Sequence, residues 1–431
     1  SFDNYYHTAA IFDGSGNLVM IYSAPKRVGL YGDGETIEIE IPYLGYDGKL
    51  YENQTYYAYM FISSAQYTGQ NYEYVGDYTY IPMPCGEGDY GMQPASFLCK
   101  KDSKWATIMS FCNSGERLVN WTVDMYGNGN QVQGVLRLID LQGNIVGSVT
   151  GINGHLGAMT FDPQGRRVYA SLEIKDDAIG RGVAKALGAQ EHKREQSRFY
   201  VAEIEVDKIT GLEMKFEDVI TLHPIEEAGR DYLAKVEMDG KELEHRYGCS
   251  GIDGVTIGPA FGSGSRKADH LYVAYGVYGD TTRVDNDHNI LLCYSLKDLS
   301  KPVHKYFVHT GNTRYGVQNM AYDSHSDRLY LAVYKGSKKQ YPNYGMFVLD
   351  MAQEPFMAPL KDVPYETGEF EQLKVSEGWH FKWGSTGLCP LGDGRWFISE
   401  NSKIDGNQIC DARQYVLSGD GEVPFVPYVK D

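Results

Sequence analysis

Thr313-Arg314-Tyr315-Gly316-Val317-Gln318-Asn319-Met320-Ala321-Tyr322-Asp323, followed after a polar turn by Arg328-Leu329-Tyr330-Leu331-Ala332-Val333-Tyr334, decides how this chain is read. An aromatic–glycine pair leads into a short alternating run. A turn rich in Asp and Ser comes next, and then a strand that is apolar almost throughout. Period-two alternation bounded by turn residues marks β-strands.

The same unit recurs. It is read at Tyr5 to Asp13 with Asn17 to Tyr22, at Asp89 to Phe97 with Trp105 to Phe111, and at Gly154 to Asp162 with Arg167 to Leu172. It returns at Arg246 to Ile257 with His270 to Tyr275, and at Lys382 to Leu388 with Arg395 to Ser399. A third and often a fourth strand follow each pair, as in Ile290 to Tyr294 and Val303 to Val308. Four antiparallel strands repeated radially make a β-propeller, which buries both faces of every sheet against its neighbours. The expectation is an all-β, single-domain propeller over residues 1–431, with six blades, or seven if the long first unit holds another. Helical patterning interrupts it near residues 176–196 and 224–245, the second with a hairpin at Asp239-Gly240.

Composition narrows the function classes. A formal charge of -17 lacks the basic footprint of a nucleic-acid or anionic-membrane binder. No apolar run reaches the roughly 18 residues of a membrane span. The chain starts at Ser1 with no basic and apolar leader, which fits a trimmed, extracytoplasmic mature form and a monomer. Seven cysteines at 85, 99, 112, 249, 293, 389 and 410 contain no CxxC pair. Cys99, Cys293 and Cys389 sit in strand-like runs as small apolar residues; one or two disulfides are the alternative. The 35 tyrosines suit strands and contact with carbohydrate or peptide.

Inner strands of a propeller converge on its axis, so the lead-ins to them gather candidate site residues. Ligand contacts fall to Tyr5, Tyr90, Gln93, Arg246, Ser250, Arg314, Gln318, Lys382 and Trp383, and proton transfer to His7, His155, Tyr247 and Tyr315. Arg246, Arg314 and Lys382 each stand immediately before an aromatic residue. They either face a carboxylate ligand or lay their stems on the adjacent ring. In Asp280 to Asn289, the alternating Asp285 and Asp287 offer oxygens to a Ca²⁺ ion, or serve only as turn residues. No firm cofactor follows from the sequence.

Blades reading Ala321-Tyr322-Asp323 to Arg328-Leu329-Tyr330-Leu331-Ala332 resemble the β-propeller superfamily, and the resemblance runs along nearly the whole chain. It implies a fold and no activity. Some propellers of this size are polysaccharide lyases that use Tyr, His and Arg on a uronate. The expectation is therefore a carbohydrate-active propeller that binds an anionic ligand at the axial mouth. A non-catalytic glycan- or protein-binding propeller and a metal-dependent hydrolase or lactonase are the alternatives.

Overall fold

A computed structural model describes residues 5–12, 18–31, 36–39, 57–63, 66–69, 96–98, 110–113, 117–126, 131–140, 145–152, 154–176, 193–385, 387–404, 407–418 and 423–428. Strand His270–Val277 explains the architecture. Its side chains alternate between two cores: Leu271, Val273 and Tyr275 enter one, Tyr272 and Ala274 the other. Arg328–Lys335 behaves alike, with Leu329, Leu331 and Val333 on one face and Tyr330 and Ala332 on the opposite face. Strands that are apolar on both faces need a sheet on each side.

The sheets form a ring of five blades. Blade I is built from Ser110–Asn113, Arg117–Tyr126, Gln131–Asp140 and Ile145–Ile152. Blade II has His155–Asp162, Arg167–Ile174, Arg198–Glu205 and Ile220–Pro224. Blade III has Cys249–Gly258, His270–Val277, His288–Ser295 and His304–His309. Blade IV has Thr313–Asp323, Arg328–Lys335, Met346–Asp350 and Glu377–Trp379, and blade V has Leu388–Pro390, Arg395–Ile404, Asn407–Leu417 and Phe425–Pro427. The first strand of each blade packs beside the next, and that of blade V returns to that of blade I. One apolar cluster fills each of the four seams from blades I–II to blades IV–V.

The first repeat unit does not join this ring, which corrects the expected count of six or seven. Tyr6–Phe12 lies in the middle of its own sheet, between Leu18–Arg27 and Tyr57–Ser63. A strand paired on both sides has no free edge to turn toward an axis. The second unit is redistributed. Ser96–Leu98 pairs with Asn407–Leu417 of blade V, while Ser110–Asn113 is the inner strand of blade I. The chain ahead of blade I thus tethers the last blade.

The outer edges of blades I and III are covered by a further strand, one way of protecting an edge. Met214–Lys215 runs parallel on Ile145–Ile152, and Phe370–Leu373 runs parallel on His304–His309. Of the helical insertions, residues 177–192 lie outside the described residues. The second is the helix Glu226–Leu233 with the hairpin of Lys235–Met238 and Lys241–Glu244. Among the described residues, no helix is long and apolar enough to cross a membrane. Cys249 and Cys293 are buried free thiols.

Candidate functional site at the axial mouth

The inner strands of blades II, III and IV all slip register near their starts. The breaks fall between Leu156 and Met159, twice between Cys249 and Val255, and twice between Arg314 and Asn319. Bulges bend a strand and re-aim its side chains. Here they bring three blades close together. At Gly157 an added Cβ would stand 2.4 Å from Ser171 Oγ and 3.1 Å from the Asp253 carbonyl oxygen. At Gly316, with φ of 72°, it would meet Val277 N at 2.6 Å and the Tyr275 carbonyl oxygen at 2.7 Å. Gly316→Ala therefore destabilises the fold by more than about 1 kcal/mol, read by chemical denaturation. A neutral result would mean that the III–IV seam can open there.

Between these strands lies an ionic cluster. Glu173 is 2% exposed. Its Oε1 accepts the Ile252 N–H at 2.6 Å, and its Oε2 forms an ion pair with Lys175 Nζ at 2.6 Å. Lys175 also donates to the Ser250 carbonyl at 2.9 Å, so the pair clamps blade II to the segment carrying Asp253. His155 Nδ1 stands 3.9 Å from Glu173 Oε2. Asp253 Oδ2 accepts from Gln318 Nε2 at 3.2 Å, and the same amide donates to the Tyr315 carbonyl at 2.8 Å.

The two carboxyls are driven apart. Burial pushes Asp253 up to about 7, and the neighbouring Glu173 charge adds to the rise. Burial also opposes ionisation of Glu173, but the Lys175 ammonium and His155 outweigh it and hold that carboxyl below its ordinary value. One acid near neutrality beside one fixed carboxylate is an arrangement able to move protons.

Tyr315, tied to Asp253 through Gln318, is 46% and Tyr334 43% exposed, their rings edge to face at 6.4 Å. Arg314 is exposed, its guanidinium 5.4 Å over the Tyr315 ring, and Lys382 Nζ lies 4.1 Å over Trp383. Arg246 lies 5.9 Å over Tyr247. All three cations therefore stack on the aromatic that follows them. Among the described residues, no carboxylate stands within ion-pair distance of Arg314 or Lys382.

The expected convergence is partial. His155, Ser250, Tyr315 and Gln318 meet at the axis, with Arg314 on its rim. Arg246 and Tyr247 turn instead into the II–III seam, where Tyr247 is 3% exposed and donates to Glu366 Oε1 at 2.7 Å. Lys382 and Trp383 belong to the IV–V seam, where Trp383 packs against the apolar cluster. Tyr5 and His7 sit on the N-terminal sheet outside the ring, His7 against Tyr31 at 5.9 Å. Tyr90 and Gln93 lie outside the described residues. Glu173, Lys175 and Tyr334 escaped the reading of lead-ins because the ends of second strands reach the same mouth, and Asp253 because it lies inside an inner strand, past its lead-in. Their signal is a charge inside an apolar strand, as Asp253 is in Cys249–Gly258.

The Asp280 to Asn289 loop holds side-chain cations where Ca²⁺ was an option. Arg283 donates to Asp285 Oδ1 and Oδ2 at 2.9 and 2.7 Å, and Lys338 Nζ donates to Asp287 Oδ1 at 2.7 Å. At the axis, His155, Glu173 and Asp253 each bring a ligand atom within 4.8 Å of the others, close enough to share an ion.

No protein-family description matches the chain, and no curated protein matches it. Among solved structures it is similar to an apocarotenoid oxygenase of Synechocystis, with a TM-score of 0.30 and 11% identity over 73% of this chain; it spans 60% of that one. A GH43_1 enzyme from Xanthomonas citri gives 0.37 and 11% over 74% of this chain and 90% of that one. The catalytic domain of a GH62 α-L-arabinofuranosidase from Coprinopsis cinerea gives 0.33 and 8% over 78% and 96%. Likenesses this distant assign no activity.

Proposed function

We propose that this chain is a carbohydrate-active propeller that binds an acidic glycan across the axial mouth and cleaves it by elimination. The observation that carries the reading is the His155–Glu173–Lys175–Asp253 cluster, tied through Gln318 to the exposed Tyr315 with Tyr334 against it. Tyrosine rings offer an apolar face to sugar C–H groups and a hydroxyl at the edge. Arg314 is placed to take a uronate carboxylate, for which its fork of donors is suited. Hydrolysis with two carboxyl groups needs a second reactive carboxylate. Glu173 has both oxygens committed, so one proton acceptor and one donor fit elimination better.

In that reaction His155 takes the proton from the carbon next to the carboxylate. The C–O bond on the neighbouring carbon breaks as the double bond forms, and Asp253 gives its proton to the leaving oxygen. His7 and Tyr247 lie elsewhere and take no part.

The test is a screen of polyuronates and neutral glycans with wild type and Arg314→Ala, following ultraviolet absorbance of unsaturated ends together with new reducing ends. Absorbance lost in Arg314→Ala supports elimination. Reducing ends without absorbance would overturn elimination, and binding without product would leave a glycan-binding module. Tyr315→Ala is expected to raise KM about 10-fold, or about 1.4 kcal/mol, with kcat little changed. A second reading rests on the 4.8 Å grouping of His155, Glu173 and Asp253: a metal-dependent hydrolase. It predicts activity abolished by a chelator and restored by a divalent cation that displaces Lys175 from Glu173.

A further inference from the structure

On the outer half of blade III two imidazoles stand in direct register, His288 on one strand against His309 on the next. Their ring centroids are 5.0 Å apart, at 75° to each other. His288 is 1% exposed, and neither of its ring nitrogens has a hydrogen-bond partner; Nε2 of His309 has none either. Three other imidazoles of blades II and III have carboxylate partners. His223 reaches Glu203 at 2.7 Å, His270 reaches Asp269 at 2.7 Å and His304 reaches Glu371 at 3.0 Å. Orphaned buried polar atoms are rare and call for an occupant.

We propose that His288 and His309 form a binding site for a divalent transition metal of the zinc type, separate from the axial mouth. Register-paired side chains on antiparallel strands have neighbouring Cβ atoms, which lets both rings reach one ion. Two imidazoles on a tetrahedral zinc, at the usual Zn–N length, place their centroids about 5 Å apart. The His288 ring packs edge to face on Phe307, their centroids 6.2 Å apart. Asp287, next in the chain, is not a third ligand, since Lys338 and Tyr341 take its two oxygens. Water completes the coordination. His309 is partly exposed and provides the way in. Bound there, the ion would cross-link the two outer strands of the blade.

The test titrates Zn²⁺ alone into chelator-treated full-length chain by calorimetry, with melting temperature as a second readout. Wild type is expected to bind with a rise in melting temperature. His309→Gln and His288→Phe each weaken that binding by at least about 10-fold and abolish the rise. Asp253→Asn, which breaks the axial group, leaves both intact. His288→Phe fills an apolar pocket and removes two orphaned atoms, so the metal-free variant is expected to melt no lower than metal-free wild type. If it fails to fold, His309→Gln decides. Absence of Zn²⁺ binding in wild type, or unchanged binding in His309→Gln, overturns the site and leaves buried water as the occupant.

Discussion

Lys338→Met lowers the free energy of unfolding by about 3–5 kcal/mol. The lysine is 4% exposed, and its ammonium lies among the Arg283 carbonyl, Asn286 Oδ1 at 2.8 Å and Asp287 Oδ1 at 2.7 Å. Asp287 is 2% exposed, and its other oxygen accepts the Tyr341 hydroxyl at 2.6 Å. Methionine restores the volume but not the charge. The carboxylate then keeps one neutral donor in a place that water does not reach. Urea denaturation of wild type, Lys338→Met, Asp287→Asn and the double variant separates the contributions. The double variant is expected to recover part of the loss, since no unpaired charge stays buried. A loss below about 1 kcal/mol in Lys338→Met would mean that the pair does not hold blades III and IV together.

The same loop marks where local reading of the sequence stops. Asp285 and Asp287 alternate as ligands for Ca²⁺ would. Arg283, two residues away, could have been named as a partner for Asp285. Lys338 stands 51 residues from Asp287 and arrives only because blades III and IV are adjacent. Neutralisation of a buried acid by a distant lysine leaves no trace in spacing. A cation cage and a calcium loop therefore look alike until the ring is closed.

Blades were legible because their physics is local. Leu329-Tyr330-Leu331-Ala332-Val333 must bury both faces, and any strand of that kind asks for two neighbours. The blade count was not legible, since it depends on which edge of the first sheet is free. Tyr6–Phe12 reads like an inner strand, but Tyr57–Ser63, far along the sequence, pairs with its open side. The candidate site was half legible for a related reason. Arg314-Tyr315-Gly316-Val317-Gln318 precedes an inner strand, so its place at the axis follows from the repeat. Glu173 and Lys175 close the second strand of blade II, and they reach the mouth because that strand runs back toward it.

Under the elimination proposed above, Asp253→Asn is expected to reduce turnover by about 10²–10⁴-fold with little change in KM, the loss that follows when a proton-transfer group is removed and binding stays. Wild-type kcat/KM declines as pH rises through about 7, where Asp253 gives up the proton it must donate. Glu173→Gln removes the charge that helps hold that proton, so the declining limb moves to lower pH. Stability falls over the same range of pH. The folded carboxyl is raised to about 7, well above the ordinary value it has in the unfolded chain, so the folded state binds the proton more tightly. Its contribution to stability is complete below the unfolded value and is lost as pH rises through about 7. Asparagine has no charge to lose. The melting temperature of Asp253→Asn is therefore expected to gain on wild type between about pH 4 and pH 7 and to hold that lead above. Full turnover in the variant, or a melting difference that does not grow with pH, would remove Asp253 from that role and leave the axial cluster a structural clamp between blades II and III.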